Sequence, residues 1–146
     1  MNVLGAINPL NQKLLTVVNE DYINAESVCE LLRMIREAHP DRSVPLKLVM
    51  DNARYQRCKR VEAQEKALAI EIVFLPPYSP HFNLIERLWK FVKKQSLNNC
   101  YYETFEAFKS GINACLEGID KKYRSQVETL MTLRFQTFRN DQIMAG

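Results

Sequence analysis

The chain has 146 residues, 47% of them hydrophobic and 25% charged, a balance that argues for one globular domain and against disorder. Its 20 lysines and arginines exceed its 17 aspartates and glutamates by only three, so net charge alone names no partner. No apolar run approaches the roughly 20 residues that cross a bilayer, Met1–Gly5 lacks the basic start and apolar stretch of a secretory leader, and four cysteines without a Cys-x-x-Cys pair, beside two histidines, argue against a zinc site and for reduced thiols in a cytosolic protein.

Taken in chain order, Asn2–Asn8 reads as a short strand, Asn8-Pro-Leu-Asn11 as a turn, and the β-branched run Lys13–Asn19 as the second arm of a hairpin. Asn24 can cap a helix that runs to about Ala38, because Val28, Leu31, Leu32 and Ile35 recur at helical spacing. His39-Pro40 ends it, and a protonated His39 would suit the helix C-terminus. Pro45–Met50 is a strand that runs straight into Asp51-Asn52. A helix from Lys59 to Ala69 and a strand Glu71–Leu75 follow. The stiff run Pro76-Pro-Tyr-Ser-Pro80 leads to Asn83, which opens a helix to about Leu97 with Leu84, Ile85, Leu88 and Val92 as its buried stripe. Two more helices are read from Phe105, Phe108, Ile112, Cys115 and Leu116, and from Val127, Leu130, Met131 and Leu133. Strands alternating with helices behind a hairpin give an α/β domain on a mixed sheet.

Eight of the 20 basic residues fall in two short acid-free clusters. Arg54, Arg57, Lys59 and Arg60 form one, and Arg87, Lys90, Lys93 and Lys94 the other. Such clusters are either solvated helix faces or phosphate contacts, and their neighbours decide which. The first follows Asp51 directly and the second follows Glu86 directly. Asp51 stands at the C-terminal end of a strand, the sheet edge where sites gather. Glu86 stands in the first turn of a helix behind a loop stiffened by three prolines. Each acid has a purely structural alternative: Asp51-Asn52 as an Asx turn, and Glu86 as the partner of Asn83 in a capping box. Paired carboxylates on rigid elements also suit Mg²⁺, which takes one or two carboxylates together with substrate phosphate. Cations beside both acids suit a polyanion that approaches such a site.

Leu48-Val-Met-Asp-Asn-Ala-Arg-Tyr55 and Leu75-Pro-Pro-Tyr-Ser-Pro-His-Phe-Asn-Leu-Ile-Glu-Arg-Leu-Trp-Lys90 resemble the second and third catalytic blocks of DDE-superfamily transposases, in particular the bacterial insertion-sequence branch related to mariner elements. The 34 residues between Asp51 and Glu86 equal the separation of the second and third acids in that group. The likeness spans roughly residues 2 to 97. It implies a ribonuclease-H-like mixed sheet flanked by helices, with Asp51 and Glu86 as catalytic acids holding Mg²⁺ or Mn²⁺. It gives Asn52 and Asn83 supporting roles. Gln56 stands where many members have His, and His81 where many have a small polar or acidic residue. The implied activity is DNA strand cleavage and strand transfer during transposition, on element ends and target DNA. The implied location is the bacterial cytoplasm, at the nucleoid.

The family's first catalytic aspartate lies on a strand upstream of the one at Val3–Ile7, and Glu20 and Asp21 come too late in the topology to replace it. The sequence therefore reads as the C-terminal part of a transposase catalytic domain. Residues 1–97 would be a partial ribonuclease-H-like core that lacks its first, central strand, and 98–146 a C-terminal helical extension. A gap between the hairpin and the Leu46–Met50 strand would leave two strand edges unpaired. Dimerisation, strand exchange, direct pairing of the two halves, or union with an N-terminal part of the transposase would repair it. With two acids of three, little or no activity is expected of the chain alone, and a two-metal site only in a complete domain. The alternative is a non-catalytic DNA-binding or dimerising remnant that regulates a full-length transposase.

Overall fold

A computed structural model describes residues 2–20, 22–50, 58–75, 84–97, 101–132 and 142–145. Strands β1 (Asn2–Ile7) and β2 (Leu14–Asn19) pair antiparallel from Asn2↔Asn19 to Ile7↔Leu14. The turn between them is held by its asparagines. Leu10 N donates to Asn8 Oδ1 and Lys13 N to Asn11 Oδ1, each at 3.0 Å. Helix α1 (Ala25–Ala38) starts on a capping box in which Asn24 Oδ1 accepts from Ser27 N at 3.1 Å and Ser27 Oγ accepts from Asn24 N at 3.4 Å. Its stripe of Val28, Leu31, Leu32 and Ile35 is fully buried, and each such side chain contributes about 1.5–3 kcal/mol. His39 caps the helix, with its Nδ1 3.0 Å from Ile35 O.

Strand β3 (Leu46–Met50) and strand β4 (Ile70–Phe74) run parallel from Leu46↔Ile70 to Met50↔Phe74, joined through α2 (Lys59–Leu68). A buried guanidinium ties α1 to the end of α2: Arg36 donates to Leu68 O (2.8 Å), Ala69 O (2.9 Å) and His39 O (2.8 Å). Ala69 itself is left-handed, at φ 54°. Helices α3 (Leu84–Ser96), α4 (Phe105–Glu117) and α5 (Arg124–Thr132) complete the helical set among the described residues. No described helix is long and apolar enough to cross a membrane.

Strand alternation sorts the core into two halves. Leu4, Ala6, Val17, Leu46, Leu48, Met50 and Ile70 pack with α1 and with Val61 of α2. Ile7 and Val49 lie with Leu84, Ile85, Leu88 and Val92 of α3, Ile112 and Cys115 of α4, and Val127 and Met131 of α5. Helices therefore cover both faces of the sheet, the arrangement expected of a ribonuclease-H-like domain.

The centre of the sheet departs from expectation. Strand β5 (Gln142–Ala145) stands between β1 and β3, giving the order β2-β1-β5-β3-β4. It pairs antiparallel with β1 (Ala6↔Ala145, Ile7↔Met144) and parallel with β3 (Lys47↔Gln142, Leu48↔Ile143, Val49↔Met144). The position expected to be an open gap is thus filled by the chain's own tail, and 142–145 are strand rather than part of a helical extension. Two neighbouring strand edges expose N–H and C=O groups that are costly to leave unpaired, so even a segment of modest strand propensity gains by lying between them.

Candidate active site and basic surface

Asp51 follows β3 directly and, with Asn52, Arg54, Gln56 and Arg57, lies outside the described residues, as do His81 and Asn83. The frame around this sheet edge is described. Leu75 N donates to Met50 O at 2.9 Å, holding the C-terminal ends of β3 and β4 together. Leu84 and Ile85, in the first turn of α3, are buried in the same core as Val49, two residues before Asp51. Glu86, in that same first turn, is half-buried, where the positive end of the helix dipole favours a carboxylate.

The seating of α3 depends on a residue outside the two catalytic blocks. Gly5 of β1 faces the Trp89 ring so closely that a Cβ there would lie 2.8 Å from both Cη2 and Cζ2. A lone glycine inside a strand is the signal of such an approach. Arg87, half-buried, donates from Nη1 to Leu130 O at 3.0 Å and so fastens α3 to α5, and burial holds its pKa below the ordinary arginine value.

Lys90, Lys93 and Lys94 are exposed on α3. They lie one and two turns beyond Glu86, the farthest about 12 Å along the axis. Lys59 and Arg60, also exposed, open α2 on the opposite layer. Arg60 is paired with Glu26, which Arg33 also contacts at 3.3 Å. Described members of the two basic clusters therefore sit on different layers, and the lysines on α3 share their helix with Glu86.

Among the described residues no three His, Cys, Asp or Glu side chains gather as a metal site. Asp51 and Glu86 would form an oxygen-only set, the hard chemistry that Mg²⁺ and Mn²⁺ prefer. The strands flanking β3's central side, Asn-Val-Leu-Gly-Ala-Ile in β1 and Gln-Ile-Met-Ala in β5, carry no acid.

No curated protein matches the chain. The family model described as DDE superfamily endonuclease matches residues 1–109, from β1 into α4 and well over half of the sequence. That family supplies transposase-type nucleases, which act on DNA with divalent metals. The strands β1 to β4, the helix carrying Glu86 and the segment carrying Asp51 all fall inside the match, and the chain belongs to the DDE superfamily endonuclease family.

Proposed function

We propose that this chain forms part of the catalytic domain of a transposase, of the bacterial insertion-sequence branch related to mariner elements, working on element ends and target DNA at the nucleoid. The observation that carries this reading is the seating of Glu86: the first turn of α3 is buried against Val49, at the sheet edge from which Asp51 follows. In this reading Asp51 and Glu86 hold Mg²⁺ or Mn²⁺. The bound metal would supply activation of the attacking oxygen and stabilisation of the leaving oxygen. The protein's own contribution is positional. The Leu75–Met50 hydrogen bond and the Gly5–Trp89 contact fix the two elements that bear the acids. Lys90, Lys93 and Lys94 hold the DNA backbone, with Arg54, Arg57, Lys59 and Arg60 as a second contact region and Arg87 bracing α3. Asn52 and Asn83 support the acids.

The absence of an acid in β1 and β5 favours a second reading, a DNA-binding or dimerising form without catalysis that regulates a complete transposase. Nicking of supercoiled DNA in Mn²⁺ separates the two. Cleavage by the pure chain that disappears in Glu86→Gln supports a competent site. Salt-sensitive DNA binding without cleavage supports the regulator.

A further inference from the structure

We propose that the edge of the sheet at β2 is a self-association surface, on which a second copy of this chain pairs its own β2 antiparallel, with Thr16 opposite Thr16. The strand order leaves β2 and β4 as the two edges of the sheet. Edge strands present unpaired N–H and C=O groups and are ordinarily guarded. The edge at β4 is guarded, because Glu65 of α2 accepts from Ile72 N at 2.9 Å. No side chain is described in that role on β2. Its run Leu-Leu-Thr-Val-Val-Asn holds no charge, no proline and no glycine. Large apolar side chains also stand exposed along the hairpin and just after it, Leu10 at 54%, Val18 at 45% and Tyr22 at 67%.

The hydrogen-bond phase of the hairpin fixes the register. Asn8 N donates to Lys13 O at 3.0 Å. Counting from that pair, alternate residues bond β1, which assigns Leu15 and Val17 to β1 and turns the N–H and C=O groups of Leu14, Thr16 and Val18 outward. Among the described residues these groups meet no further strand. A two-fold axis relating antiparallel neighbours stands normal to the sheet, so a residue faces its own counterpart or one an even number of places away. Thr16 is the central outward residue. Pairing it with itself sets Leu14 opposite Val18 at both ends, and every outward group is then used, in about six hydrogen bonds. The side chains agree with this register. Leu14 of the second copy covers Val18, Leu15 lies opposite Val17 on the α1 face, and Tyr22 of the second copy is carried toward Leu10. Lys13 falls opposite Asn19 and Glu20 opposite Gln12, so no like charges meet. This matching of exposed apolar positions at both ends follows from symmetry, and it singles out a second copy over an unrelated strand. Neither the central strand nor the acids of the candidate site take part, and the pairing stands whether or not the chain cuts DNA.

Sedimentation equilibrium of the full chain across micromolar concentrations is expected to show monomer and dimer in exchange, because an edge-to-edge contact lies at the small end of specific interfaces. Thr16→Pro removes the central outward donor without taking a bond from the β1–β2 ladder, a change that an edge strand tolerates. Val18→Lys puts a charge opposite Leu14. Each is expected to weaken the dimer by about tenfold or more while circular dichroism stays that of the parent. Val73→Lys, at an exposed position on β4, is expected to leave the dimer unchanged. Amide exchange followed by NMR reads the register: raising the concentration should slow Leu14, Thr16 and Val18 and leave Leu15 and Val17 as they were. A chain that is monomeric throughout would overturn the inference. So would a dimer that folded Thr16→Pro and Val18→Lys proteins still form, as exchange of β5 or contact between helix faces would give, and so would a dimer broken by Val73→Lys alone. Should Thr16→Pro fail to fold, Val18→Lys and the alternating exchange pattern decide by themselves.

Discussion

Replacing Gly5 by alanine drives a methyl group into the Trp89 ring. The new Cβ would stand 2.8 Å from two ring carbons and 3.4 Å from Leu14 Cδ1. The ring is rigid and belongs to α3, whose Leu84, Ile85 and Leu88 are locked in the core, so relief requires α3 to move off β1. Overpacking of this kind costs about 1–3 kcal/mol. Alanine recovers roughly 0.5–1 kcal/mol by restricting the unfolded chain, leaving a net loss centred on about 1.3 kcal/mol and reaching about 2.5 kcal/mol where α3 cannot move. For a chain of this size that lowers Tm by roughly 3–6 °C. Urea unfolding followed by circular dichroism measures the loss directly. Combining Gly5→Ala with Trp89→Leu gives the coupling, expected near 1 kcal/mol, because the smaller side chain removes the clash. A Gly5→Ala protein as stable as the parent, or a double variant whose losses simply add, would refute the claim that this contact seats α3.

Arg36→Met removes three hydrogen bonds to carbonyls and leaves the ends of α1 and α2 unclamped, for an expected loss of about 2–4 kcal/mol in urea unfolding. Ala69→Gly relieves a left-handed alanine and should raise stability by about 0.5–1 kcal/mol, measured the same way. Converting Lys90, Lys93 and Lys94 to glutamine should reduce the slope of log DNA affinity against log salt by roughly 0.9 for each phosphate left without its lysine, read by anisotropy titration. Glu20 is held below the usual carboxylate range by the hydrogen bond and charge of Lys109, and Glu26 by the hydrogen bond from Arg33 and the charge of Arg60. A depressed carboxylate contributes stability above its unfolded pKa, about 4.3, and loses it as pH falls through the folded value. Lys109→Gln and Arg33→Gln should therefore flatten the acid limb of the pH–stability curve below that point.

The hairpin, α1 with its asparagine cap, the β3–α2–β4 unit, and α3 were legible because each carries a local signal: alternation, a capping box, or a stripe at helical spacing. The stripe Leu84, Ile85, Leu88 and Val92 is the face that α3 buries, and that face fixes where Glu86 stands. Strand β5 was not legible. Gln-Ile-Met-Ala has neither alternation nor a β-branched run, and it is a strand because two distant edges offer it partners. The cations were legible as clusters but not as surfaces: sequence proximity groups Arg87 with Lys90, yet folding turns one toward Leu130 and leaves the other in solvent. The roles read for Asp51 and Asn83 fall on residues outside those described.

The place of β5 also sets an order of events during synthesis. The hairpin and the β3–α2–β4 unit are complete once residue 74 has been made, but the strand that joins them ends at residue 145. Ile7 must wait for Met144. While residues 75 to 145 are being made, the nascent chain therefore carries two half-sheets that cannot close on each other in their final register, the slow, non-local kind of pairing that exposes chains to misassembly. Translation pauses and chaperone binding after α3 has emerged should decide how much of this protein reaches its native sheet.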